Sequence, residues 1–489
     1  MSDAQNHFDV LIIGAGLSGV GAAWHLQHAL PHKTYAILEG RERMGGTWDL
    51  FQYPGIRSDS DMHTLGYSFR PWTAAKAIAD GPAILEYIRE TAREHGIDRK
   101  VRYGHRVERA RWSSDAARWT VTVREVATGE LREFTCSFLF SCAGYYDYDA
   151  GYTPEFAGRE RFRGRIVHPQ HWSPDVDYAG KRVVVIGSGA TAMTLVPALA
   201  KQAAHVTMLQ RSPTYVVSMP ARDRLANGLR ALLPADAAYE VTRWKNVLFQ
   251  MAFFNYARRF PAQAKSLLVG QVRRALGRTV DVDTHFTPRY NPWDQRLCLV
   301  PDGDLFDAFR DGRASVVTDH IETFTETGIR LKSGQELEAD LIVTATGLKL
   351  KFLGGVAVEV DGQAIDPSKL LTYKGMMFGD IPNLAVAIGY TNASWTLKCD
   401  LTCEYVCRLL QHMDRHGYAI CRPHNNDPAM KDDALLDFSA GYVLRAIDQF
   451  PRQGSRAPWR VYQNYALDRR ALRSAPVDDG VMHFAKARA

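Results

Sequence analysis

Two glycine-rich turns carry the first chemical signal in this chain. One reads Gly14-Ala15-Gly16-Leu17-Ser18-Gly19, and the other Gly187-Ser188-Gly189-Ala190-Thr191-Ala192. Each follows an apolar run, Val10 to Ile13 or Val183 to Ile186, and opens onto a helical stretch of small residues. In that strand–turn–helix setting the glycines let the backbone approach a pyrophosphate, which rests on the helix N-terminus. Two such turns imply two dinucleotides held by one protein, and hence electrons passing between them.

The residues that close the second strand of each unit differ in sign. After the first turn comes Tyr35-Ala36-Ile37-Leu38-Glu39. A carboxylate there accepts hydrogen bonds from ribose hydroxyls and repels a 2′-phosphate. After the second comes Val206-Thr207-Met208-Leu209-Gln210-Arg211-Ser212, with no acid. Arginine beside a hydroxyl suits a 2′-phosphate. The first site therefore reads as FAD or NAD and the second as NADPH. The stretch Arg43-Met44-Gly45-Gly46-Thr47-Trp48 tips the first towards FAD.

These turns require strands and helices in alternation: an α/β fold of two dinucleotide-binding, Rossmann-like domains in three layers. The first part of the FAD domain covers 1–150, and a linker covers 151–180. The NADPH domain covers 181–347, with a helical insertion at about 219–290. Residues 348–489 return to the first domain. Trp119-Thr120-Val121-Thr122-Val123 alternates as a strand. Phe138 to Gly144 and Asp340 to Gly347 read as the closing strands of the two units, each ending in a glycine. From Val241 to Val280 the insertion carries eight Lys or Arg and no Asp or Glu. Trp244, Val247, Leu248, Met251 and Phe254 recur at helical spacing. Two readings follow: a helical subdomain covering the site, which is favoured, or a basic amphipathic helix in peripheral contact with a membrane.

The chain's 489 residues suit two or three domains. A net charge of +6 is no nucleic-acid signature. No apolar stretch of about 18 residues reads as a membrane span. Polar residues run straight into the first strand, so the expected location is cytoplasmic. Seven cysteines include no Cys-x-x-Cys, which argues against a disulfide reductase. Cys399, Cys403 and Cys407 recur every four residues and match no common metal pattern; they read as small apolar residues on one helix face, and no metal is expected.

Between the two turns, Phe162-Arg163-Gly164-Arg165-Ile166-Val167-His168-Pro169-Gln170-His171-Trp172 fits Phe-x-Gly-x3-His-x3-Trp. Gly45-Gly46-Thr47-Trp48 is followed after four residues by Tyr53-Pro54-Gly55, and after three more by Asp59. Together these resemble the signatures of type I Baeyer–Villiger monooxygenases, a branch of the class B flavin monooxygenases, across essentially the whole chain. In Trp48-Asp49-Leu50-Phe51, Tyr290 to Cys298 and Gly389 to Lys398 the chain looks most like the ethionamide-activating monooxygenases. Ser173 departs from the Pro or Asp that usually follows the fingerprint tryptophan. Gln295 stands where relatives often carry a lysine that assists with the 2′-phosphate.

The resemblance implies that NADPH reduces FAD and that a C4a-peroxyflavin inserts one atom of O2 next to a ketone carbonyl, giving an ester or lactone. S-oxygenation of thioethers or thioamides follows from the same intermediate. Alternatives are an N- or S-oxygenating flavin monooxygenase without ketone activity, and a flavin reductase or oxidase. Arg296 matches the family's active-site arginine, a cation that keeps its charge beside an anion in a dry site. Asp59 matches the aspartate that orients it, with Asp61 as an alternative. His168 is expected to hydrogen-bond backbone at the domain hinge rather than act as an acid or base. The cofactor-binding set is Gly14, Gly16, Ser18, Gly19, Glu39, Gly46, Thr47, Trp48, Asp59, Gly187, Ser188, Gly189, Ala190, Thr191, Arg211 and Ser212, and the fingerprint set is Phe162, Gly164, His168 and Trp172.

Overall fold

The first apolar run becomes the strand His7–Ile13, parallel to Tyr35–Leu38 on one side and to Leu131–Ser141 on the other. Val10, Leu11 and Ile12 are fully buried, as a strand covered on both faces requires. This description comes from a computed structural model that covers residues 6–435 and 440–487. Leu131–Ser141 also closes an antiparallel meander with His105–Ser113 and Arg118–Glu125. Trp119, Val121 and Val123 alternate inward and are fully buried. Later chain completes this nine-stranded sheet: Ala357–Val360 pairs with His105–Ser113, and Leu384–Val386 with Leu131–Ser141.

The second apolar run, Arg182–Ile186, is the middle of a five-stranded parallel sheet. Its order is Ala314–Thr318, His205–Gln210, Arg182–Ile186, Leu341–Thr344, Arg165–Val167. The last of these strands comes from the fingerprint segment, which the sequence reading treats as linker. A short antiparallel ribbon of Tyr146–Gly151 with Leu348–Leu350 joins the two places where the chain crosses between the sheets.

Parallel strands Val216–Met219 and Cys298–Pro301 frame the insertion. Between them lie helices Arg224–Leu232, Ala235–Arg259, Pro261–Leu276 and Val282–His285. The apolar spacing on Ala235–Arg259 is only partly inward. Val247 is buried against Tyr390 and Leu397, with Trp244 and Met251 packed around them, but Leu248 faces out. A basic residue is the deep anchor instead. Arg243 is 5 % exposed. It donates to the carbonyls of His63 and Gly66 at 2.8 and 2.9 Å, and lies 3.5 Å from Asp400. Much of the basic run is likewise partnered: Lys245 with Asp223, Arg258 with Asp294, and Arg273 with Asp283. Among the described residues no helix is long and apolar enough to cross a membrane.

The helix Trp395–His416 buries Cys399, Cys403 and Cys407 on one face, as the spacing suggests. Burial pushes all three thiols up. Removing the Arg243 charge would leave two backbone carbonyls without their donor. We expect Arg243→Met to destabilise the protein by about 3 kcal/mol, read as an earlier thermal unfolding transition.

Candidate active site

Both glycine turns open onto one cleft of about 1800 Å³. At the first, Gly14 has φ +97°, and a Cβ there would stand 2.7 Å from the Cys142 carbonyl oxygen. Helix Leu17–Ala29 starts at Gly16 with no side-chain cap. Its first N–H groups are thus left for an acceptor from outside the helix. Ser18 accepts from Trp395 Nε1 at 2.8 Å, which brings helix Trp395–His416 to the turn. Glu39 accepts from the backbone N–H of Ala15 at 2.8 Å and of Arg41 at 2.9 Å. Burial raises its pKa, opposed by those bonds and by the Arg41 charge. Gly46, Thr47 and Trp48 line the cleft beside this turn, with Gly46 packed against Gly16. Their loop is held by Asp49, buried between Arg41, Arg43 and Arg89.

The second turn repeats the geometry. Gly187 has φ +142°, and a Cβ there would meet the Ala345 carbonyl oxygen at 2.3 Å. Helix Ala190–Leu199 starts at Gly189, again without a side-chain cap. Gly189 itself has ordinary extended backbone, and a Cβ there would meet nothing within 4 Å. No protein contact therefore requires glycine at 189, whereas a pyrophosphate approaching the backbone does. Ser188, Thr191, Arg211 and Ser212 line the cleft. So do His320 and Lys332, brought beside Arg211 because Asp319 N–H donates to the Gln210 carbonyl and Lys332 N–H to that of His320. The uncapped helix ends, the open face at Gly189 and the buried carboxylate of Glu39 all fit two dinucleotides.

Between the turns lies an ion pair that sequence distance hides. Arg296 Nη1 is 3.4 Å from Asp59 Oδ2. The contact arises because Gly55 packs onto helix Ala190–Leu199, where a Cβ at 55 would stand 2.6 Å from Ala198 Cβ. That docking carries the loop of the first unit across to the residues that precede Cys298–Pro301. The Asp59 charge holds the Arg296 guanidinium well above its ordinary pKa, against the effect of burial. Asp61 is engaged elsewhere. It caps Met62–Leu65 through Thr64 N–H and accepts from Asn246 and Gln250 of the insertion at 2.8 and 3.0 Å.

The fingerprint residues divide into two groups. Phe162 is buried against Phe324, folded over Gly164, where a Cβ would meet the ring at 2.5 Å. Trp172 packs on the core of the second sheet. Neither these two nor Gly164 faces the cleft; they position the strand that delivers His168, which does. His168 Nε2 donates to the Gly347 carbonyl at 3.2 Å, and Nδ1 accepts from Gln170 N–H at 3.2 Å. Both nitrogens are thereby satisfied in the neutral ring, and burial lowers the pKa, opposed by the bond to Gly347. A Cβ at Gly151 would overlap the imidazole.

Comparisons with known proteins agree with this geometry. The NAD(P)-binding Rossmann-like domain pattern matches residues 12–80, and the flavin-binding monooxygenase-like pattern matches residues 77–229. The FAD-containing monooxygenase EthA of Mycobacterium tuberculosis is 56% identical over 481 residues, covering 98% of each chain. The chain belongs to the FAD-containing monooxygenases. A second member of that family, the putative FAD-containing monooxygenase MymA of the same organism, is 56% identical over 488 residues, covering 99% of this chain and 98% of its own. An oxidized steroid monooxygenase bound to NADP shares the fold, with TM-score 0.76 and 23% identity over 98% of this chain and all of that one.

This monooxygenase surrounds Arg296 with aromatic hydroxyls that the sequence reading did not single out. Tyr145, Tyr146 and Tyr442 line the cleft near it. Burial raises the phenols of Tyr145 and Tyr442, so both stay protonated as donors. Tyr145 and Tyr146 directly follow the glycine that ends the first closing strand, a positional signal the sequence does carry. Tyr442 comes from the distant C-terminal segment and gives no such signal. For Gly189→Ala we expect a stability loss under about 1 kcal/mol, because the added methyl has free space. Dinucleotide affinity at the second turn should fall at least about tenfold, measured by titration.

Proposed function

We propose that this chain is an FAD-dependent, NADPH-consuming Baeyer–Villiger monooxygenase. It would insert one oxygen atom of O2 next to the carbonyl of a ketone, with S-oxygenation of thioethers or thioamides as a side activity. The observation that carries this reading is the Asp59–Arg296 pair in the same cleft as both turns. The names of the relatives, FAD-containing monooxygenases, support the flavin half.

FAD would lie on Gly14, Gly16, Ser18 and Gly19, with Glu39 facing its ribose and Gly46, Thr47 and Trp48 beside the turn. NADPH would lie on Gly187, Ser188, Gly189, Ala190 and Thr191, with Arg211, Ser212 and Lys332 facing the 2′-phosphate. Lys332 compensates for the neutral Gln295. When bound, the flavin would supply hydride acceptance and the activation of O2.

The chain's own residues do the rest. Arg296 holds a positive charge where an anionic oxygen must be kept without a proton, and it cannot act as a competing acid. Asp59 orients the guanidinium and offsets its burial. The Tyr145 and Tyr442 hydroxyls remain proton donors. Trp395, fixed through Ser18, walls the cleft against water. His168, neutral and fully bonded, holds the junction and takes no proton.

The test is product analysis with FAD-loaded protein, NADPH, ¹⁸O2, a linear methyl ketone and an aryl methyl thioether. Labelled ester is expected, and sulfoxide without ester would make the chain a heteroatom oxygenase. Arg296→Ala should lower ester formation at least about 100-fold while flavin reduction by NADPH persists. Ketone turnover at wild-type rate in that variant would refute the role. Arg211→Ala should weaken NADPH binding about tenfold or more and leave NADH binding unchanged.

A further inference from the structure

Residues 441–445 bring a further cation to the cleft that none of the motifs predicts. The short helix Gly441–Leu444 ends at Arg445, whose guanidinium stacks on the Tyr152 ring, 3.5 Å from its centroid. Among the described residues no carboxylate pairs with it. Burial lowers its pKa, opposed by the Tyr152 phenol. A partly desolvated guanidinium with one aromatic face has no counter-charge among the described residues.

Its surroundings say which anion would fit. A Cβ at Gly347 would stand 3.4 Å from Arg445 Nη2. Gly347 is the hinge residue whose carbonyl accepts from His168 and from the Tyr152 N–H. Two residues earlier, the Ala345 carbonyl packs on Gly187 of the second turn. Two residues of extended chain span about 7 Å. Arg445 and the uncapped N-terminus of Ala190–Leu199 line the same cleft, with the Gly347 and Ala345 stretch between them. The first turn packs instead on Cys142.

We propose that Arg445 is an anion subsite for the pyrophosphate of the nicotinamide dinucleotide, and that this contact fastens the Gly441–Leu444 helix across the domain junction. The assignment rests on the reading of the second turn as the dinucleotide site. It adds a phosphate ligand from outside the nucleotide-binding unit. The helix also carries Tyr442, which faces Arg296, so the contact links dinucleotide occupancy to a wall of the oxygenation site.

The experiment titrates NADP⁺ and NAD⁺ into FAD-loaded wild type, Arg445→Ala, Arg445→Lys and Gly189→Ala, at two salt concentrations. Arg445→Ala should weaken both dinucleotides by about 10- to 100-fold, flatten the salt dependence and leave FAD content unchanged. Arg445→Lys should recover part of the loss. Loss for NADP⁺ alone would place the contact on the 2′-phosphate and overturn the assignment, as would loss of FAD instead. If Gly189→Ala weakens binding and Arg445→Ala does not, this inference fails by itself. If neither does, the reading of the second turn fails with it.

Discussion

An arginine and an aspartate from different halves of the chain meet in the cleft between the two glycine turns, and that contact depends on much of the architecture. Arg296 and Asp59 belong to different halves of the chain, and neither half alone could hold the pair. The Tyr53-Pro54-Gly55 turn has to dock on the helix of the second unit before Asp59 comes within 3.4 Å of Arg296. The Asp59 carboxylate raises the pKa of the partly exposed guanidinium and fixes its position.

The junction between the halves serves the same end. A two-stranded ribbon carries the chain across, and His168 closes over it with both ring nitrogens satisfied. The fingerprint motif is largely a packing device. Phe162, Gly164 and Trp172 set the edge strand Arg165–Val167, and only His168 reaches the cleft. The motif's spacing reflects that strand, whose register against Leu341–Thr344 determines where the imidazole emerges.

The insertion shows how a composition signal can mislead about position. Its basic run looks like a charged outer surface. The structure places Arg243 inside the first unit, and Asn246 and Gln250 on Asp61. Arg243 therefore anchors the covering helices to the first unit, while Arg258, Arg259, Arg273, Arg274 and Arg278 of the same run are exposed. Counting charges could not separate these roles, because a buried guanidinium and an exposed one have the same composition.

Local order was legible from the sequence because its causes are local. The glycine turns demand positive φ or close backbone approach, the apolar runs demand parallel strands, and Glu39 and Arg211 follow their strands at set distances. The sequence by itself thus determined two dinucleotide units, the strand–turn–helix setting of both glycine turns and the helical nature of the insertion. Only the tertiary structure decided which carboxylate meets Arg296, because Asp59 and Asp61 differ by one peptide pair and are separated by the capping geometry of Asp61. It also brought Tyr442, His320 and Lys332 to the cleft. Those residues arrive by long-range packing, and no spacing along the chain encodes which distant surfaces a folded core will press together.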